Sequence, residues 1–208
     1  MTISTLNSKL KYCKMKILIN ITLIIYFLLI TGCNKNAEKY YVQDSFKQWS
    51  LFQYGSYWIY ANDKNANNDS SYVYSGPSTW FYKPIGDGKL YEVISYQIMN
   101  IGEFRLGAKT DNSVLLIEGK FRSGGYVLTS SVTSNLSDKV SPTCWVIKRY
   151  DSITVNNQLF FDVIHTRDTF SNSINDYYFG KKVGLIKFAI KNEYIDSTWS
   201  LVRWHSVQ

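Results

Sequence analysis

The stretch DKNANND, Asp63 to Asp69, sets oxygen-bearing side chains at every second position: Asp63, Asn65, Asn67 and Asp69. Oxygens spaced this way can converge on a hard cation such as calcium. An EF-hand-type loop would also need glycine at its sixth position and a bidentate glutamate at its twelfth. Here those positions hold Asn68 and Tyr74, and only two formal negative charges remain. A polar hairpin tip accounts for the same residues, because Asn and Asp bond to nearby backbone and tolerate left-handed conformations. The expectation is therefore a turn, with no metal and no cofactor.

Other catalytic constellations are thin. The two histidines, His165 and His205, have no His, Cys or Glu at zinc-ligand spacing, and no HExxH occurs. Beyond residue 33 there is no G-x-S-x-G, no S-x-x-K and no glycine-rich phosphate loop. A hydrolase would have to assemble its triad from residues distant in sequence, so no enzyme is expected. Cys144 precedes an apolar run and suits a small buried hydrophobe. Aromatics make up 16% of the chain. Tyr57, Trp58, Tyr60, Tyr72 and Tyr74 are the candidates to contact a sugar, an acyl chain or a peptide, since their rings stack while polar tips stay wet. The plainer reading makes them ordinary residues of a two-faced sheet.

The elements that would position these groups are strands. YWIYA and SYVYS flank DKNANND, Asp87-Gly88 follows TWFYKP, and Asp111-Asn112 separates EFRLGAKT from SVLLIEGKF. Asn156-Asn157, a turn-prone pair, joins CWVIKRYDSITV to QLFFDVIHTRDTF, and Asp87-Gly88 is a strong hairpin signal. About ten strands follow from this pattern, and no amphipathic helix alternates with them, which disfavours a parallel α/β sheet. The fold class expected is all-β: one antiparallel domain over residues 46–208, as a curved sheet, half-barrel, barrel or sandwich. SFKQWSLF adds at most a short helix.

The N-terminus carries a location signal. Lys9, Lys11, Lys14 and Lys16 precede a 14-residue apolar run, Ile17–Ile30, and no acidic residue occurs before Glu38. That is a secretory leader, shorter than the roughly 20 residues of a membrane span. Met15 offers an alternative start. The exit ITGC, Ile30 to Cys33, resembles the lipobox of bacterial lipoproteins. The resemblance implies cleavage after Gly32 and diacylglyceryl and palmitate groups on Cys33. Residues 1–32 are then a signal peptide and 33–45 a polar tether. Asn34, where inner-membrane lipoproteins often carry Asp, points to the outer membrane. Loss of the leader removes four lysines from a formal charge of +7, so the basic pI is mostly a targeting signal. Nucleic acid is not an expected partner.

LFQYGSYWIY, Leu51 to Tyr60, and YYFGKKVGLIKF, Tyr177 to Phe188, resemble the opening and closing segments of small envelope lipoproteins without assigned function. Gly55, Trp58, Tyr60, Gly184, Leu185 and Lys187 carry the likeness; Gln53 and Lys182 depart from it. The resemblance implies a β-rich envelope lipoprotein and no particular activity. The leading expectation is a non-enzymatic binding or scaffolding domain, held to the membrane by its lipid, with an envelope protein, glycan or lipid as partner. The alternative is a carrier or sensor that curls its sheet around an apolar or glycan ligand.

Overall fold

The computed structural model describes residues 37–65, 67–119, 126–134, 137–169 and 172–208. Cys33 and its lipobox lie outside the described residues. The chain opens with β1 (Lys39–Tyr40), the seven-residue helix α1 (Asp44–Ser50), β2 (Tyr57–Asn62) and β3 (Asn68–Tyr82). There follow β4 (Leu90–Ile98), β5 (Gly102–Ala108), β6 (Ser113–Gly119), β7 (Tyr126–Thr129) and the single turn α2 (Ser130–Thr133). The second half is β8 (Lys139–Ser141), β9 (Cys144–Val155), β10 (Gln158–Asp168), β11 (Ile174–Gly180), β12 (Gly184–Lys191) and β13 (Asp196–His205). β1 and the start of α1 fall inside the segment read from sequence as a polar tether.

One antiparallel sheet runs β7-β6-β5-β4-β3-β2-β13-β12-β11-β10-β9-β8, with β1 added in parallel to β4. It curls into a nearly closed barrel. Thr166 Oγ1 on β10 donates to Val127 O on β7 at 3.1 Å, tying one end strand to the third strand from the other end. The expected all-β class holds. β1, β7 and β8 had no sequence signal because two to four residues are too few to show a period-two pattern.

β3 is the hinge of the architecture. Its first residues pair with β2 through Tyr57↔Tyr72, and Val73 onward pairs with β4 through Val73↔Ile98 to Tyr82↔Tyr91. The sequence suggests two strands here, SSYVYSG and TWFYKP. They form one, bent at Gly76, whose φ of +94° and approach to Tyr96 backbone leave no room for a side chain. The expected turns recur: the tip after Asn62, the loop at Asp87-Gly88, and Asn156-Asn157 with φ of 47° and 61°, as a two-residue hairpin turn requires.

Alternation decides the faces. In β4, Glu92, Ile94, Tyr96 and Ile98 point inward. Inward residues of β2, β5, β11 and β12 add Trp58, Tyr60, Phe104, Leu106, Tyr177, Phe179, Ile186 and Phe188, so side chains fill the barrel. Helix α1 buries Phe46 and Trp49 against this core, at about 1.5–3 kcal/mol for a fully buried large apolar side chain. The segment leading into α1 reaches both halves of the barrel. Val42 N donates to Glu92 Oε2 at 2.8 Å, Gln43 N to Ser113 Oγ at 2.9 Å, and Lys182 N to Gln48 O at 2.7 Å.

Candidate functional site

A half-open groove of about 530 Å³ lies on the outer face of β4–β6. Cross-strand partners share a face, so the register Val93↔Gly107↔Val114 sets three small or apolar residues side by side. Together with Leu116 they make the floor. Gly107 deepens it, since a methyl group there would reach 3.4 Å from Val114. Tyr82, Pro84 and Tyr91 form one wall. Tyr91 is held from both sides: its hydroxyl donates to Asp87 Oδ2 at 2.8 Å, and its ring stacks on Tyr40 at 5.1 Å. Arg105 stands at the opposite side and is shared by Glu103 at 3.1 Å and Glu118 at 3.4 Å. The groove thus joins an apolar floor, flat aromatic walls and a neutralised guanidinium. That combination suits a ring, a short acyl chain or a peptide side chain.

A second, more polar cleft of about 350 Å³ includes Asp63, Tyr150, Thr154, Asn156, Tyr178, Lys187 and Ser200. The β9–β10 tip reaches β13 beside it, where Asn156 Nδ2 donates to Leu201 O at 3.1 Å. The register Lys148↔His165↔Tyr178↔Lys187↔Ser200 runs one polar row across five strands. Within it His165 is buried, stacked on Tyr178 at 4.0 Å between centroids, with Nε2 2.7 Å from Asp176 Oδ1. Arg167 grips the same carboxylate through Nε at 2.8 Å and Nη2 at 3.0 Å. Burial pushes the Asp176 carboxyl up, but hydrogen bonds from His165 and Arg167 outweigh it and hold the group below its ordinary range. The imidazole and the guanidinium share one acid, an arrangement that ties β10 to β11.

The structure disperses the residues singled out from sequence. Trp58 and Tyr60 are buried, with Trp58 Nε1 donating to Val183 O and Tyr60 OH to Leu185 O, both at 2.7 Å. Burial pushes the Tyr60 phenol far up. Tyr57 faces His205 at 6.0 Å, while Tyr72 and Tyr74 are exposed and meet edge to face at 6.5 Å. None of the five lines the β4–β6 groove. In DKNANND, Asp63 faces Lys187 at 3.4 Å, Asp69 Oδ1 accepts from Asn100 at 2.9 Å, and Asn65 Oδ1 accepts from Asn67 N at 3.0 Å. Asn62 Oδ1 caps the turn by accepting from Lys64 N and Asn65 N. Among the described residues no group of three His, Cys, Asp or Glu is placed to hold a metal. Cys144 is buried and unbridged.

The groove residues did have a sequence signal: Val93, Val114 and Leu116 are apolar at positions whose neighbours face the core, where a solvated face would carry polar groups. The pairing of His165 with Asp176 had none, because it depends on the β10–β11 register.

No protein-family model matches the chain, and no curated protein matches it. Among solved structures, a Bacteroides fragilis protein described as exported, with a YmcC-like fold, superposes with a TM-score of 0.43. The identity is 8%, over 76% of this chain and 99% of that one. A Parabacteroides distasonis protein described as a lipoprotein gives a TM-score of 0.37 at 13% identity, over 78% and 100% of the two chains. Likenesses this loose carry neither a ligand nor an activity across.

Proposed function

We propose that this protein is a lipid-anchored protein of the bacterial envelope, on the outer membrane, whose β domain binds or scaffolds another envelope component and catalyses no reaction. One observation carries the binding role: side chains fill the barrel interior, and the amphipathic groove opens on its outer face. An outer groove suits a partner that presents a ring, an acyl chain or a side chain. A carrier would instead enclose its ligand. The location rests on the leader and ITGC, with Cys33 as the acylated residue.

The test for the groove is photo-crosslinking in cells. A photoreactive residue at Asp111, on the groove rim, is expected to give a discrete adduct. Gly107→Trp, which fills the floor, should abolish it. Equal labelling from a probe at Asn65 would overturn the reading, and a small apolar ligand retained in native mass spectrometry would favour the carrier. The anchor has its own test: a fatty-acid analogue should label the wild type and fail to label Cys33→Ser.

A further inference from the structure

The end of β3 and the loop after it form a projecting finger. Ile85 is fully exposed at its apex, and Tyr82 and Trp80 are 57% and 41% exposed on one face of the strand. On the other face Tyr41, 58% exposed, meets Phe81 edge to face at 5.6 Å. Lys83 and Lys89 flank the apex, and Lys89 Nζ lies 5.0 Å from the Tyr40 ring centroid. Large apolar groups exposed at the apex of a loop cost hydration without contributing to the core. Apolar tip, amphipathic aromatics and flanking lysines are the composition of groups that settle at a lipid headgroup boundary.

The chain itself brings this finger to such a boundary. β1 pairs Lys39 with Leu90 and Tyr40 with Tyr91, and Leu90 N donates to Glu38 O at 2.8 Å. The chain therefore joins the fold at the base of the finger. Five residues lie between Cys33 and Lys39, and the six steps fully extended reach at most about 20 Å. An acylated Cys33 holds the base of the finger, where Lys39 pairs with Leu90, within that distance of the headgroups. The opposite end of β3 is different in kind: the tip at Asp63–Asn65 is polar, with Lys64 paired to Asp196 at 2.8 Å. β3 has 15 residues, so its polar tip and its aromatic end lie at opposite ends of a long, bent strand.

We infer that the β3–β4 finger, through Trp80, Tyr82, Ile85 and the flanking Lys83 and Lys89, docks on the surface of the membrane that holds the anchor. It orients the barrel with the β2–β3 tip pointing away. The inference rests on the acylation proposed at Cys33. The acyl chains on Cys33 already anchor the protein stably, so what a second apolar contact adds is orientation of the barrel. Glu38, Asp87 and Asp111 also lie near the finger, and Asp87 is engaged by Tyr91. The apolar and aromatic groups, more than net charge, therefore make the contact.

The experiment places an environment-sensitive thiol probe at Ile85→Cys or Asn65→Cys in the mature protein purified from membranes and reconstituted into vesicles. Cys144 is buried and Cys33 carries lipid, so the probe site is the reactive thiol. A second preparation carries Cys33→Ser and an N-terminal histidine tag held on nickel-chelating lipid, which supplies tethering without acylation. Lipids brominated near the interface should quench the probe at 85 at least about twofold more than the probe at 65, in both preparations. Tyr82→Ser in the Ile85→Cys protein should reduce that difference, and circular dichroism confirms that the variant is folded. Equal quenching at the two positions overturns the docking. A difference that persists in the tagged preparation, when fatty-acid labelling of Cys33 fails in cells, removes the anchor and leaves the docking surface standing.

Discussion

Gly184→Ala tests how the helix exit is seated on the barrel. Gly184 opens β12 with φ of +89°, and an added Cβ would lie 2.8 Å from Phe52 Cε2 and 2.9 Å from Cζ. Phe52 cannot move freely: it is buried just after α1 and meets Trp58 edge to face at 5.0 Å. Two costs combine. The left-handed backbone costs an L-residue about 1–2 kcal/mol, and crowding in a packed core costs about 1–3 kcal/mol. The expected loss is near 3 kcal/mol, or roughly 6–12 °C in Tm for a domain of this size. Urea unfolding of Glu38–Gln208, followed by tryptophan fluorescence, measures it. Phe52→Leu removes the ring and should leave only the backbone cost. Gly184→Ala in that background should then lose about 1–2 kcal/mol, with a coupling of similar size between the two positions. A loss under about 1 kcal/mol in the single variant, or simple additivity in the double, refutes the reasoning.

Tyr96→Phe removes the hydroxyl that donates to Ser50 O in the core; the orphaned carbonyl should cost about 1–2 kcal/mol in urea unfolding, against almost nothing for Tyr74→Phe at the surface. Asp176 ionises below its ordinary 3.8 in the folded chain, so its contribution is full above that pH and fades as pH falls through the folded value. The stability gap between wild type and Asp176→Asn, measured by urea midpoint, should therefore narrow as the pH falls below the ordinary carboxylate range; a constant gap would show that the carboxylate's charge is irrelevant. Millimolar calcium should leave Tm within about 1 °C, since Asp63 and Asp69 already face Lys187 and Asn100; a rise of several degrees, lost in Asp63→Ala, would make DKNANND a binding loop.

Local chemistry made much of this fold legible. Asn156-Asn157 needed both residues at positive φ, and Asn tolerates that, so the hairpin could be read from two letters. In β4 the buried Ile94, Tyr96 and Ile98 alternate with Ser95 and Gln97, a period-two pattern present in the sequence itself. The alternation stopped being readable where bulges intervene, as between Tyr178 and Phe179, because a bulge shifts the parity of everything after it. The short β1 was hidden for another reason: its place beside β4 comes from the backbone bond at Leu90 and the stacking of Tyr40 on Tyr91, neither of which leaves a periodic trace. The groove needed three strands in register, and Gly107 gains its meaning only between Val93 and Val114. The aromatic cluster was visible as composition. Which rings went inward, as Trp58 and Tyr60 did, was settled by partners at the start of β12 and in the turn before it, more than a hundred residues away.

The way the chain enters the barrel also has a mechanical side. A tug from the N-terminus arrives first at β1, whose backbone pairing with β4 lies along the line of the chain, so a pull along that line loads the pairing in shear rather than unzipping it. The next ties, Val42 to Glu92 and Gln43 to Ser113, spread the load to β4 and β6. Only beyond them does tension reach Phe46 and Trp49, which must leave the core before α1 can be drawn away. A domain strung this way stays intact while its tether is pulled taut, because β1 and both side-chain ties must give way before any load reaches the helix.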